Sequence, residues 1–209
     1  PTAIPIIWGT DAVHGNNNVF GSTLFPHNIA LGAAHDPALI ERVAHSAARA
    51  TRATGITWAF APTLAVVQNQ RWGRSYESFS SDPALVRSYA SAYVRGLQGN
   101  LTGDETVLGT AKHFIGDGGT FNGVDQGENR ATLRDIIATH APGYYGALDA
   151  GVQTVMISYS SWNDVAAQHN AGKMHGNRQL ITDVLKGRLG FDGLVVSDKE
   201  YSDFIVRVS

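Results

Sequence analysis

The most constraining feature of this sequence is a repeated order of short apolar run, Gly/Asn/Ser-rich segment and longer amphipathic stretch. This order is typical of a strand, a loop and a helix that recur along the chain. The predicted strands cover residues 4–9, 57–61, 107–113, 154–158 and 193–197. Strands that alternate with helices of this length form right-handed βαβ units, so a parallel sheet is expected.

Four helices follow from capping residues between the predicted strands. Asp, Thr and Asn cap helix starts, Pro fits the first turn, and Gly after the last turn can take the positive φ of a C-terminal cap. The predicted starts lie at Asp36-Pro37, Asp82-Pro83, Thr132 and Asn177, and the predicted ends lie at Gly55, Gly99, Gly151 and Gly190.

Five strands and four helices predict an α/β fold, either a doubly wound sheet or a TIM-like (β/α)₈ barrel. A complete barrel has eight units and about 250 residues. The chain has 209 residues. We therefore expect an incomplete barrel whose missing units lie before Pro1 and after Ser209 in a longer parent protein.

Charge and composition exclude several classes of partner. The net charge is −2 and no run of Lys or Arg occurs, which argues against nucleic acid or an anionic membrane surface. No apolar run reaches the about 20 residues that cross a bilayer. The histidines are scattered without metal-site spacing, so neither a metal nor a cofactor is expected. The chain has no cysteine, which fits an exported or a cytosolic protein; we favour an extracellular or periplasmic location.

Polar residues follow the predicted strands, where both candidate folds bind ligands. Aromatic faces stack on sugar C–H surfaces, while Asp, Lys and His bond hydroxyl groups, so a polyhydroxylated ligand is expected. Simpler interpretations stay open: Asp198 as a helix cap, Asp11 as a turn cap, Arg74 with Glu77 as a surface ion pair, and Lys112 and His113 as a solvated and a core residue. The strand-end residues are Asp11, Lys112, His113, Tyr159, Trp162 and Asp198.

Asp198 directly follows the apolar run GLVVS, and a buried unpaired carboxylate costs several kcal/mol. An acid at that position is expected at a polar mouth, where it can attack an anomeric carbon. A nearby cation would favour its ionised form. Lys112 and His113 can reach one ligand together only if their strand ends or bulges, because neighbours in a strand alternate faces.

Six segments together resemble glycoside hydrolase family 3, in its β-glucosidase and exo-β-glucanase branch. They cover almost the whole chain up to Asp198, and they read GTDAVHGNNNVFGSTLFPHNIALGA, RWGRSYESFSSDP, AKHFIGDGGTFNGVDQGEN, GVQTVMISYSSWN, KMHGN and GFDGLVVSD. The resemblance implies that residues 1–198 are part of the catalytic barrel of a retaining hydrolase. Such an enzyme releases glucose from the non-reducing end of β-glucans or β-glucosides through a covalent glycosyl-enzyme.

The resemblance also implies roles for individual residues. Asp198 resembles the catalytic nucleophile, and Tyr159 resembles the tyrosine beside it. The other implied substrate-binding residues are Asp11, Arg74, Lys112 and His113, which would hold the hydroxyls of the released glucose, and Met156 and Trp162, which flank the tyrosine.

The chain departs from the family pattern at its end. Lys199 stands where the family usually has Trp, and residues 199–209 read as a divergent tail. The branch takes its acid/base from a second α/β domain of the same parent, which this chain lacks, so a non-catalytic carbohydrate-binding domain is the alternative. The family's N-acetylglucosaminidase branch uses an Asp-x-His pair, and Val124-Asp125-Gln126-Gly127 offers no His, which disfavours that branch.

Overall fold

The computed structural model of the chain describes residues 7–198. The strands are β1 (Gly9–Thr10), β2 (Trp58–Ala59), β3 (Thr110–Phe114), β4 (Glu128–Asn129), β5 (Thr154–Ile157), β6 (Ser161–Asp164), β7 (His169–Lys173) and β8 (Leu194–Ser197). The α-helices are α1 (Asn28–Ala33), α2 (Pro37–Arg52), α3 (Pro83–Gln98), α4 (Leu133–Asp135) and α5 (Pro142–Asp149), and two π-helical segments cover Ile136–His140 and Gln179–Arg188.

Five strands run parallel and follow one another in chain order. Strand β1 pairs with β2, and β3, β5 and β8 form a second parallel sheet. The two sheets meet where Trp58 bridges Leu108 and Thr63 bridges Lys112. This order confirms the predicted α/β fold with a parallel sheet. A TIM-like barrel adds strands in this order, and the incomplete (β/α)₈ barrel stays a prediction. The first predicted strand lies largely outside the described residues.

The predicted capping residues at the helix starts and the positive φ of the glycines after the helices are confirmed. Asp36 accepts a hydrogen bond from Leu39 N at 2.9 Å, and Asp82 accepts one from Ala84 N at 2.8 Å, each just before the proline that opens its helix. Thr132 and Asn177 accept equivalent bonds from the backbone of Asp135 and Leu180. The four terminating glycines have positive φ: Gly55 at 83°, Gly99 at 47°, Gly151 at 76° and Gly190 at 67°.

Two local predictions were wrong. The helix expected after Thr132 is divided into α4, a π-helical segment and α5. A small third sheet, in the order β4-β6-β7, was missed, and it includes the antiparallel pair of β6 with β7. Its strands read EN, SWND and HNAGK, which contain no apolar run, so hydrophobic periodicity could not reveal them.

The core lies between the parallel strands and the helices α2, α3 and α5. Tyr89, Tyr93 and Leu97 of α3 are fully buried, as are Ile40 and Ala44 of α2. This packing covers one side of the sheet and leaves the carboxyl ends of the strands facing an open cavity. Among residues 7–198 no helix combines the length and apolarity needed to cross a membrane.

Candidate active site

A cavity of about 300 Å³ lies at the carboxyl ends of β1, β3 and β8. A second cavity of about 190 Å³ adjoins it and is lined by Trp58, Phe60 and Met156, and a third of about 10 Å³ lies beside Tyr159 and Ser160. Asp198 lines all three. The cavity of about 300 Å³ is lined by Asp11, Val13, His14, Asn17, His27, Arg74, Tyr76, Glu77, Lys112, His113 and Asp198.

Lys112 projects from β3 and pairs with Asp11, which follows β1. Lys112 Nζ lies 2.7 Å from Asp11 Oδ1, and only 4% of the lysine side chain is exposed. An ammonium group buried to that extent needs a compensating carboxylate. The pair therefore joins two separate strand ends, and it presents both a donor and an acceptor to the cavity.

His113, the neighbour of Lys112, faces the same cavity. The register of β3 against β5 shifts between Ala111 and Phe114, which is the strand irregularity that the sequence required for two adjacent side chains to share a ligand. His113 Nδ1 lies 2.9 Å from Asp117 Oδ2. The opposite ring nitrogen, Nε2, lies 3.9 Å from Asp198 Oδ2. His113 thus lies between two carboxylates.

Arg74 is held by Glu77 in a two-bond ion pair. Its Nε donates to Oε1 at 2.7 Å and its Nη2 donates to Oε2 at 2.8 Å. Only 28% of the arginine side chain and 11% of the glutamate side chain are exposed, so the interpretation as a surface ion pair was wrong. Burial alone would raise the pKa of Glu77, but the hydrogen bonds and charge of Arg74 outweigh it and hold that pKa below its ordinary value.

The ion pair with Glu77 also keeps Arg74 protonated. Burial would lower the pKa of its guanidinium, but Glu77, followed by Asp117 and Asp125, raises the pKa above its ordinary value. Two of the five guanidinium N–H groups are committed to Glu77. The others keep the planar donor geometry that suits hydroxyl and carboxylate oxygens.

Asp198 follows β8 and is fixed through its backbone. Tyr159 donates its phenolic hydrogen to the Asp198 carbonyl oxygen, which ties the loop after β5 to the end of β8. The carboxylate is partly exposed and faces the same cavity as Lys112 and Arg74. An acid placed there has cations on the cavity wall and an open side towards a ligand.

The structure brings together most of the residues that the sequence singled out. Asp11, Arg74, Lys112, His113 and Asp198 share the cavity of about 300 Å³. Met156 lines the second cavity and Tyr159 the third, each together with Asp198. Trp162 lines none of these three cavities.

Trp162 is instead buried in β6 of the small sheet, where its indole N–H donates to the Ala131 carbonyl at 2.9 Å. The missed small sheet is the reason for its position, because the sequence placed Trp162 at the end of β5. A role for Trp162 in sugar binding stays a prediction.

Other residues of the cavity wall were missed by sequence reasoning. The rings of His14 and His27 lie 4.0 Å apart, and the ring of Tyr76 packs edge-on against His27 at 4.7 Å. Burial and the neighbouring His14 lower the pKa of His27. Asp117 was also missed, although its position four residues after His113 in a glycine-rich turn is a signal that could have found it.

The described residues contain no group of three His, Asp or Glu side chains arranged to hold a metal ion. The polar side chains of the cavity instead pair with one another: Lys112 with Asp11, Arg74 with Glu77, and His113 with Asp117. Such a set suits recognition of a neutral ligand with several hydroxyl groups, since each pair offers donors and acceptors at once.

Comparison with known proteins identifies the family. The model of the Glycosyl hydrolase family 3 N terminal domain matches residues 1–206. The chain belongs to this family. Its likeness to the β-glucosidase and exo-β-glucanase branch, expected from the six motifs, agrees with individual relatives.

One relative is a lysosomal beta glucosidase of Dictyostelium discoideum, which is 34% identical over 205 residues, covering 95% of this chain and 24% of that protein. An exo-1,3/1,4-beta-glucanase from a Pseudoalteromonas species has a crystal structure that matches with a TM-score of 0.87 and 52% identity, over 94% of this chain and 24% of that one. A beta-glucosidase from Listeria innocua, crystallised in complex with glucose, matches with a TM-score of 0.85 and 30% identity, over 93% of this chain and 26% of that one. The family 3 chain thus spans about a quarter of the length of these relatives.

Proposed function

We propose that the natural protein containing this family 3 chain is a retaining β-glucosidase or exo-β-glucanase. The observation that carries the proposal is the convergence of Asp198, Lys112, His113, Arg74 and Asp11 on one cavity. Its volume of about 300 Å³ is at the lower end of the range for small-molecule sites. One glucose unit is a suitable occupant, and the relatives named as β-glucosidases and glucanases support that substrate class.

In the proposed first step, a carboxylate oxygen of Asp198 attacks carbon one of the sugar. The glycosidic C–O bond breaks, and the leaving oxygen takes a proton from an acid that lies outside the described residues. The product is a covalent glucosyl ester on Asp198. Lys112, which lies on the wall of the same cavity, is one of the groups proposed to hold the sugar while Asp198 attacks.

In the second step, water attacks the same carbon and releases glucose with retained configuration. The acid of the first step, now deprotonated, takes the proton of this water. Asp11, Arg74, Lys112 and His113 hold the sugar hydroxyls through both steps, and hydrogen bonds of this kind strengthen in the transition state. Met156, Tyr159 and Trp162 complete the proposed set of substrate-binding residues.

The rest of the parent protein would supply the remaining parts of the enzyme. Because the chain spans about a quarter of its relatives, we propose that residues 1–198 are part of the catalytic barrel and that a second α/β domain provides the acid/base. Residues 199–209, the divergent tail, lie outside the described residues. Lys199, which takes the place of the usual Trp, lies there too.

The test is covalent trapping of the nucleophile in the natural protein. An activated 2-deoxy-2-fluoro-β-glucoside is added, because the fluorine slows both steps while the good leaving group restores the first. Peptide mass mapping then locates the adduct. We expect one 2-fluoroglucosyl group on Asp198 and none in an Asp198→Asn variant, whose amide is a poor nucleophile.

The alternative function, a non-catalytic carbohydrate-binding domain, predicts a different result. Such a protein binds glucose in calorimetry but neither forms an adduct nor turns over an aryl glucoside whose leaving group needs no acid. Turnover without any adduct would contradict the retaining mechanism. An adduct on another residue would keep the mechanism and remove Asp198 from the nucleophile's role.

A further inference from the structure

Asp117 is a buried carboxylate behind the proposed sugar-binding histidine. It opens the short 3₁₀ helix Asp117–Gly119 that follows β3, and 8% of its side chain is exposed. Its two oxygens receive different donors: Oδ2 lies 2.9 Å from His113 Nδ1, and Oδ1 accepts the N–H of Gly118 at 3.1 Å. Asp117 is absent from the set of residues that hold sugar hydroxyls in the proposed function.

The neighbours of His113 determine which ring nitrogen carries the hydrogen. An ionised carboxylate only accepts hydrogen bonds, so Asp117 requires hydrogen on Nδ1. On the other side of the ring, Arg74 Nη2 lies 3.4 Å from Nε2. A guanidinium only donates, so it disfavours hydrogen on Nε2. The two contacts agree: they place hydrogen on Nδ1 and leave Nε2 as an acceptor, which faces the guanidinium of Arg74 on the cavity wall.

The residues around Arg74 and Asp117 support the same tautomer of His113. Glu77 accepts two hydrogen bonds from Arg74 and so limits the positions that the guanidinium can take beside His113. Asp125 and Asp198 line the same small cavity as Asp117 and are acids like it. Two further titratable groups near Asp117, His140 and Tyr144, are buried and uncharged at neutral pH. Burial lowers the pKa of His140 to about 4 and raises that of Tyr144. The carboxylate of Asp117 therefore acts mainly on His113 and Arg74.

We propose that Asp117 is a positioning residue that keeps hydrogen on Nδ1 of His113, so that the Nε2 lone pair can accept a hydrogen bond from a bound sugar hydroxyl in place of the long 3.4 Å contact with Arg74. The proposal rests on the proposed function in assigning the sugar to this cavity. With hydrogen on Nε2 instead, the ring would direct an N–H at Arg74 and at the Asp198 carboxylate 3.9 Å away. Both changes would weaken sugar binding and the nucleophile.

The Asp117→Asn substitution distinguishes a role in orienting His113 from a role in filling space. The wild-type carboxylate accepts from Gly118 and from His113 with separate oxygens, whereas an amide has one oxygen and one NH₂ group. If the oxygen stays on Gly118 N–H, the NH₂ group faces Nδ1 and requires the opposite tautomer. The Asp117→Asn side chain thus has the right size and cannot satisfy both donors.

The experiment is a double-mutant cycle in the natural protein with Asp117→Asn, His113→Ala and the double variant. The first readout is the rate constant for labelling of Asp198 by the activated 2-deoxy-2-fluoro-β-glucoside, and the second is the Kd for glucose from calorimetry. Loss of a carboxylate that orients a metal-bound histidine costs about 10- to 100-fold in metal affinity or activity. We expect a loss in that range for Asp117→Asn alone. In the His113→Ala background the same change should alter labelling by no more than about 2-fold, because it acts through His113.

Equal losses in both backgrounds would show that Asp117 merely supports the turn, and they would overturn the proposal, as would a loss below about 3-fold in the wild-type background. Asp149→Asn is the control: this exposed aspartate pairs with Arg87 away from the cavity, and its variant should label at the wild-type rate. If Asp117→Asn does not fold, Asp117→Ser is used, since one hydroxyl also cannot replace two carboxylate oxygens. Should the wild-type protein bind glucose without labelling, the proposed function fails, while the same cycle read in Kd still decides the role of Asp117.

Discussion

The buried pair of Arg74 and Glu77 offers a quantitative test of how this cavity is stabilised. The substitution is Glu77→Gln, which keeps the size of the side chain and removes its charge. In the wild-type protein both carboxylate oxygens accept from the guanidinium, at 2.7 and 2.8 Å. Glutamine keeps one acceptor oxygen, and its NH₂ group faces the second guanidinium donor.

The expected loss follows from these contacts. A hydrogen bond to a charged group contributes about 1.5–3 kcal/mol, and breaking a fully buried ion pair costs about 3–5 kcal/mol. One of the two bonds survives, and 28% of the arginine and 11% of the glutamate side chain reach solvent. We therefore expect Glu77→Gln to lower the free energy of unfolding by about 2–3 kcal/mol.

A matched control is available on the surface. Glu41 accepts from Nε and Nη2 of Arg95, but 43% and 52% of these side chains are exposed. Glu41→Gln should cost less than about 1 kcal/mol. Both variants are made in the natural protein, and urea midpoints are followed by tryptophan fluorescence, to which Trp72 next to the Arg74 loop contributes.

The pH dependence of the free energy of unfolding is a second test of the Arg74–Glu77 pair. The pKa of Glu77 is held below its ordinary value of 4.5, so the stabilisation is complete above that pH and is lost as the pH falls through the lower folded-state pKa. The difference between wild type and Glu77→Gln should be constant from about pH 5 upwards and shrink in stronger acid. Equal destabilisation by Glu77→Gln and Glu41→Gln, or a difference that grows in acid, would refute the reasoning.

Two further predictions concern the scaffold. Gly32→Ala should destabilise the protein by more than about 3 kcal/mol or prevent folding, because the added Cβ would lie 1.7 Å from the Phe79 carbonyl oxygen. The control is Gly73→Ala, which should shift the thermal midpoint little, because a Cβ there would have no atom within 4 Å. The pKa of His140 is about 4 against 6.5 when unfolded, so stability should fall by about 3 kcal/mol from pH 6.5 to pH 4 as the unfolded state takes up a proton. That slope should flatten in His140→Gln, and an unchanged slope in thermal melts across this pH range would contradict the assignment.

Much of the fold could be predicted because its signals are local. Asp36-Pro37 and Asp82-Pro83 specify helix starts whatever the rest of the chain does, since the cap and the proline act within one turn. Apolar runs such as TVMI of β5 mark buried parallel strands for the same reason. The small sheet was not predictable in this way, because polar strands such as HNAGK form only where a partner strand is already in place.

The same distinction between local signals and long-range contacts applies to the candidate site. The sequence by itself determined that Asp11 and Asp198 follow strands and that Lys112 and His113 lie near the end of one. Parallel strands bring their carboxyl ends to one edge. Only the tertiary structure decided the pairings across that edge: Lys112 with Asp11, 101 residues apart, and the 3.9 Å approach of His113 to Asp198. Burial decides how much an ion pair such as Arg74 with Glu77 contributes to stability. Burial depends on packing by distant segments, so it has no signal in the local sequence.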